Sequence, residues 1–244
     1  MRPLLLVLLL VSAPAFAEEV ELELVLLADT SGSINTPEVR FQRQGYAEAM
    51  TDPAVIAAIR GTFDGRIAVT YVEWGAADSQ AQVVPWAVID GPESAGAFAE
   101  ALLPPPRMAF GRNAIGSALL FGKRLIEENG IDGRRGILDL SADRLNNWDG
   151  PPIAEAREAV LAAGITINGL AVLCRRCTSV PLRSGALERG FEERIIGGPG
   201  AFVVTADGSE SFAESVRRKL ILEISGLAGA PSLALLERAA SPLR

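Results

Sequence analysis

The sequence predicts an α/β fold, a doubly wound, mostly parallel open sheet with helices on both faces. Three observations predict it. Strand-length apolar runs alternate along the whole chain with longer amphipathic segments, the order of βαβ units joined by right-handed crossovers. The first run, "VELELVLLAD" (20–29), is dominated by aliphatic residues and ends at an acid, as a strand covered on both faces would. No internal repeat and no linker-like stretch divides the chain, so one domain over 18–226 is expected.

The elements follow in order. "TPEVRFQRQGYAEAMTDPAVIAAIR" (36–60) predicts a helix, with Thr36 as candidate N-cap, Pro37 at the first helical position, Glu38 in the first turn and a break near Asp52-Pro53. "GRIAVTYVEWG" (65–75) predicts a β-branched and aromatic strand, and "AQVVPWAVI" (81–89) a second one that Pro85 pushes to an edge. Helices are expected at 92–103 and 114–128, with the rigid loop "PPPRMAFGRN" (104–113) between them. The strand "RRGILDLSAD" (134–143) follows, then the polar loop "RLNNWDGPP", a helix at 153–164 and a strand at 165–173. A short strand at 201–206 and an amphipathic helix at 209–225 complete the order; the Ala/Pro/Leu-rich tail 227–244 is expected to pack poorly.

Residues 1–17 have the order of a secretory signal peptide: Arg2, the apolar stretch Leu4 to Val11, then Ala15-Phe16-Ala17. The mature protein is therefore expected to start at Glu18 and to be periplasmic or secreted. No later segment is long and apolar enough to span a membrane.

Composition removes several functions. The net charge of −7 argues against nucleic acid as partner. The chain has no histidine, which excludes Ser-His-Asp and Cys-His triads and every His-ligated metal site. Acid–base chemistry would fall to carboxylates, Tyr, or one of two lysines, Lys123 and Lys219.

In "LLADTSGSIN" (26–35), Asp29, Ser31 and Ser33 stand at alternate positions directly behind a strand. A calcium loop counted from Asp29 would need Gly at its sixth position and Glu at its twelfth; these are Ile34 and Arg40. A phosphotransferase of the haloacid dehalogenase kind would need an acid where Ser31 stands, and no GxxxxGK[ST] phosphate loop occurs. A plain turn capped by the two serines, or a shallow oxygen-ligand metal site, are the readings that stay open. Ligands on open α/β sheets bind beyond the carboxyl ends of the strands, where Asp29 and Asp143 both fall. Asp139, inside its strand, is expected to be a structural acid with a partner. Trp74 and Trp86 are expected in the core or at the sheet edge.

Taken together, "LLADTSGSIN", the open-sheet order and "ILDLSADRLNN" resemble the von Willebrand factor type A (VWA) fold, and most of all its bacterial secreted group labelled as a domain of unknown function. The resemblance spans roughly Glu21 to Ser225, and the D-x-S-x-S motif is matched in full by Asp29, Ser31 and Ser33. It implies a metal-ion-dependent adhesion site, in which two Ser hydroxyls, a Thr and Asp carboxylates hold a divalent cation. Mg²⁺ or Mn²⁺ suits such an oxygen shell. An acidic side chain from another protein would complete it. By position, the later acid maps onto Asp143 and the Thr onto Asn113, which is a departure. Ala142 and Arg144 stand where related sequences tend to have Gly. Arg112 and Arg144 bring guanidinium charge near the site, and Trp148 is a candidate contact anchor.

Cys174 and Cys177, in C-R-R-C, lack a thioredoxin-like surrounding and a second Cys pair for zinc. In an exported protein they are expected to form a local structural disulfide. The expected function is metal-assisted binding of another protein, without catalysis. Its rivals are a scaffold of the same fold with a degenerate, metal-free site binding through Arg112, Arg144 and Trp148, a metal-dependent hydrolase, and a CRRC thiol oxidoreductase.

Overall fold

The computed structural model describes residues 18–173, 185–206 and 211–226. Residues 1–17 and 227–244 and both cysteines lie outside the described residues, and with them the signal-peptide, tail and disulfide expectations.

Six strands form the main sheet: β2 (Glu23–Asp29), β3 (Ile67–Trp74), β4 (Gln80–Ile89), β6 (Gly136–Ala142), β7 (Thr166–Val172) and β8 (Val203–Ala206), in the order β4-β3-β2-β6-β7-β8. All neighbours are parallel except β3 and β4. The expected strand over 20–29 is in fact two. β1 (Glu18–Val20) leaves the main sheet to pair with β5 (Ile131–Gly133), and β2 begins at Glu23. Every residue of β2 and β3 is buried, as central strands covered on both faces require. β4 lies at the edge, and its register with β3 shifts between Val69 and Tyr71, opposite Pro85 and Trp86. Proline, which cannot donate to a ladder, is accommodated there.

The helices fall on two faces. Leu22, Leu24, Leu26 and Ala28 pack into one core with residues of α1 (Thr36–Met50), α2 (Pro53–Arg60), α3 (Pro92–Leu102) and α7 (Phe212–Ser225). Val25 and Leu27 point into the other, with residues of α4 (Ile115–Glu127), α5 (Ile153–Ala162) and α6 (Ala186–Arg194). Strand side chains alternate between faces, so one aliphatic strand feeds both cores.

Two local expectations are corrected. The cap of α1 is Asn35, not Thr36. Asn35 Oδ1 accepts from the Glu38 N–H at 3.0 Å, and the Asn35 N–H donates back to Glu38 Oε2 at 2.7 Å, a reciprocal capping box. Helix α6 falls in a stretch with no expected element. The break at Asp52-Pro53 is present: Asp52 caps α2 by accepting from the Ala54 N–H at 2.8 Å.

No described helix is long and apolar enough to cross a membrane.

Candidate functional site

From β2 the chain passes through α1 to β3 on one side, and the next parallel neighbour of β2, β6, arrives on the other. The strand order therefore reverses between β2 and β6, the place where α/β sheets open a crevice at their carboxyl ends. Asp29 is the last residue of β2, and Asp143 directly follows β6.

The site residues meet there. Ser31 N–H donates to Asp29 Oδ1 at 2.7 Å, folding the loop back over its own acid. Ser31 Oγ and Ser33 Oγ lie 3.4 Å apart, and Ser33 Oγ donates to Asp143 Oδ1 at 3.0 Å. Asn113 Nδ2 donates to Asp29 Oδ2 at 3.3 Å. Asp29, Ser31, Asn113 and Asp143 are buried. Asp143 Oδ2 is buried as well, and among the described residues it takes no hydrogen bond. Arg144 Nε lies 3.8 Å from it, on a side chain that is 44% exposed.

Two carboxylates buried together raise one another's proton affinity. Burial, then the negative charge of Asp143, pushes the Asp29 carboxyl up to about 7, against the hydrogen bonds from Ser31. Burial likewise raises Asp143, offset by its bonds to Ser33 and by Arg144. Among the described residues no group of three or more His, Cys, Asp or Glu is placed so that it could hold a metal ion. The donor set is two acids, two hydroxyls and one amide. It offers oxygen only, once the Asn113 amide turns its carbonyl inward, and that fits a hard cation rather than a soft one.

Arg112 takes a different role from Arg144. Its guanidinium stacks 3.6 Å above the Trp148 ring, and Trp148 is 56% exposed. The Trp148 N–H donates to Asn113 O at 2.8 Å, so the 143–151 loop is pinned to the loop carrying Asn113. Trp74 is core, as expected, and Trp86 is half-buried against the α4 side of the sheet.

Sequence reasoning missed what holds the site in shape. Arg107 donates to the carbonyls of Thr30, Ser31 (3.1 Å), Ile34 (2.8 Å) and Ala109 (2.9 Å), clasping the Asp29–Ser33 loop from the 104–113 loop. Below it Arg43 and Glu73 form a buried ion pair, Nε to Oε1 at 3.0 Å and Nη2 to Oε1 at 2.5 Å. Glu73 Oε2 accepts from the Met108 N–H at 2.6 Å, and Arg43 donates to Leu102 O, Pro105 O and Pro106 O. The one available signal was a Glu inside an otherwise apolar strand, since such an acid needs a cation.

The family model described as "Protein of unknown function (DUF1194)" matches residues 19–228. No curated protein matches the sequence with significance. Among solved structures, the pilus adhesin SpaC from Lactobacillus rhamnosus GG superposes with a TM-score of 0.55 at 14% identity, over 87% of this chain and 31% of its own. A von Willebrand factor type A protein from Catenulispora acidiphila gives 0.54 at 17% identity, over 85% of this chain and 43% of its own. BatB, a conserved hypothetical protein from Bacteroides thetaiotaomicron, gives 0.51 at 19%, over 86% of this chain and all of its own. At these identities the likeness concerns the fold, and the fold is that of a VWA domain. The chain spans about a third of the adhesin it matches.

Proposed function

This chain belongs to the DUF1194 family and has a VWA-like fold, and from that premise we propose that it binds another protein through a divalent cation held at Asp29, Ser31, Ser33, Asn113 and Asp143. The observation that carries the reading is Asp143 Oδ2, a buried carboxylate oxygen that takes no hydrogen bond among the described residues, beside a second buried carboxylate. Such an arrangement is costly unless a cation completes it. Mg²⁺ or Mn²⁺ would be neutralised by two carboxylates, with hydroxyl and amide oxygens filling further positions. A partner's acidic side chain would then take a remaining position, with Arg112, Arg144 and Trp148 around it. One fold neighbour is a pilus adhesin, which accords with a protein partner and with work outside the cytoplasm.

One observation favours a second reading, a metal-free scaffold. The Asn113 amide nitrogen, not its oxygen, faces Asp29, and Arg144 already lies near Asp143. Titration calorimetry with Mg²⁺, and paramagnetic resonance with Mn²⁺, separate the two. Saturable binding in the wild type, abolished in Asp29→Ala, supports the metal site. Absence of binding at millimolar metal, in wild type and Asn113→Thr alike, leaves the scaffold. A pull-down from the native envelope with and without Mg²⁺ then tests whether partner capture follows the metal.

A further inference from the structure

The metal edge makes no use of a second charged cluster, in the core on the α7 side of the sheet. Lys219, Asp139 and Glu223 are 0%, 1% and 1% exposed. Lys219 and Glu223 are four residues apart on α7, hence on one helix face, and Asp139 faces them from β6. Lys219 Nζ lies 2.7 Å from Asp139 Oδ1 and also bonds Glu223 Oε1. Asn168 Nδ2 donates to Glu223 Oε1 at 3.0 Å and so fixes that carboxyl; Asn168 Oδ1 in turn accepts from the Phe202 N–H at 3.2 Å. The Phe202 ring lies 5.5 Å from Nζ. Among the described residues no hydrogen bond reaches Asp139 Oδ2 or Glu223 Oε2.

One ammonium is thus placed between two carboxylates where water does not reach. Separated charges are costly there, and burial raises both acids, Glu223 to about 7. Passing the ammonium proton to Asp139 leaves a neutral amine against a neutral carboxylic acid, held in contact by the fold, with a second carboxyl alongside. Amide formation needs this set: a free amine, an un-ionised acid and a proton relay.

We propose that Lys219 and Asp139 condense into an intramolecular amide cross-link joining α7 to β6, with Glu223 as the proton relay. The Nζ lone pair adds to Asp139 Cγ and the Nζ–Cγ bond forms. Glu223 takes a proton from Nζ and delivers it to the departing oxygen, so it ends as it began. The Cγ–O bond breaks and one water leaves, with no change of oxidation state. Exclusion of water from the core then protects the bond against hydrolysis. Glu223 is a catalytic residue of this single-turnover step, because it touches the reacting amine.

The test is the mass of the full mature protein, purified natively, then denatured and reduced. It is expected to be lighter than its sequence by one water. Trypsin should release a branched peptide joining Gly136–Arg144 to the peptide that begins at Lys219, with no cleavage after Lys219. That peptide also distinguishes the cross-link from cyclisation of an N-terminal Glu18, which loses the same mass. Asp139→Ala should have full mass. Glu223→Gln retains the Lys219–Asp139 contact and should fold, by circular dichroism, yet show full mass or much slower loss of water. A wild-type protein of full mass with no branched peptide, even after prolonged warming at neutral pH, overturns the proposal. Cross-linking at the wild-type rate in Glu223→Gln overturns the relay.

Discussion

Ser33 Oγ donates to Asp143 Oδ1 at 3.0 Å across 110 positions of sequence, while Asp143 Oδ2 is buried and takes no hydrogen bond among the described residues. This contact joins the loop after β2 to the loop after β6 at the one place where the sheet's winding reverses. On this asymmetry rests the proposed cation site, since a plain capped turn would satisfy both oxygens locally.

Metal binding should strengthen as pH rises. In the metal-free protein Asp29 holds its proton to about pH 7, because burial and Asp143 disfavour its charge. A cation must displace that proton, so affinity climbs through neutrality and binding at lower pH releases a proton. The sign for stability is opposite. A carboxyl whose folded value is raised above 3.8 contributes fully below its unfolded value and loses that contribution as pH climbs from about 4 to about 7. Metal-free protein should therefore melt lower at pH 8 than at pH 5 as far as Asp29 governs it. Added Mg²⁺ should narrow the gap. Calorimetry in buffers of different ionisation enthalpy reads the proton release directly.

Asn113→Thr should strengthen cation binding. The change removes an amide that donates to Asp29 Oδ2 and leaves a hydroxyl that can present an oxygen to the ion. Mn²⁺ titration followed by paramagnetic resonance checks it; weaker binding in the variant would mean that the Asn113 carbonyl is itself a good ligand.

The buried Arg43–Glu73 pair should be among the most sensitive positions in the molecule. Glu73→Ala leaves a buried guanidinium without its acid and frees the Met108 N–H. A loss of about 3–5 kcal/mol in urea unfolding is expected. Replacing Arg107 by Ala is milder for stability, about 2 kcal/mol. It should still weaken metal binding, since the carbonyls of Thr30, Ser31 and Ile34 lose their common donor.

The layer order was legible because the central strands are runs of aliphatic residues too short for a helix, and α1, α2 and α3 each open at a Pro; α6, which opens at Gly185 with no capping side chain, gave no such signal. Asp29, Ser31 and Ser33 were legible because spacing by two behind a strand is local information. Arg107 and Arg43 were not. Their partners are backbone carbonyls and an acid contributed by other elements, and no sequence spacing encodes such a meeting. The split of 20–29 into two strands was hidden for the same reason. Glu23 faces Asn129, just before β5, and Gly133 at its end, with the Gly133 N–H donating to Glu23 Oε1 at 3.1 Å. Gly75 is another case. A Cβ there would collide with the carbonyl of Phe110, so Gly75 lets the Asn113 loop lie against the end of β3. The sequence shows the glycine but not its neighbour.

Trp148 offers the cleanest separation of recognition from folding. Its ring is 56% exposed and touches Arg112 through a stacked contact at 3.6 Å, and its backbone bond to Asn113 does not depend on the side chain. Trp148→Ala should leave unfolding free energy within about 0.5 kcal/mol of wild type, as exposed substitutions do. Mg²⁺ affinity should also be unchanged, since the ring supplies no ligand. An exposed aromatic backed by a guanidinium, beside the proposed cation site, has the character of an interface anchor, and truncating such an anchor costs ~2 kcal/mol or more. Capture of protein partners from the native envelope on immobilised Trp148→Ala should therefore fall at least tenfold against wild type at equal Mg²⁺. Capture unchanged in this variant but lost in Asp29→Ala would place recognition on the cation alone and remove Trp148 from the interface.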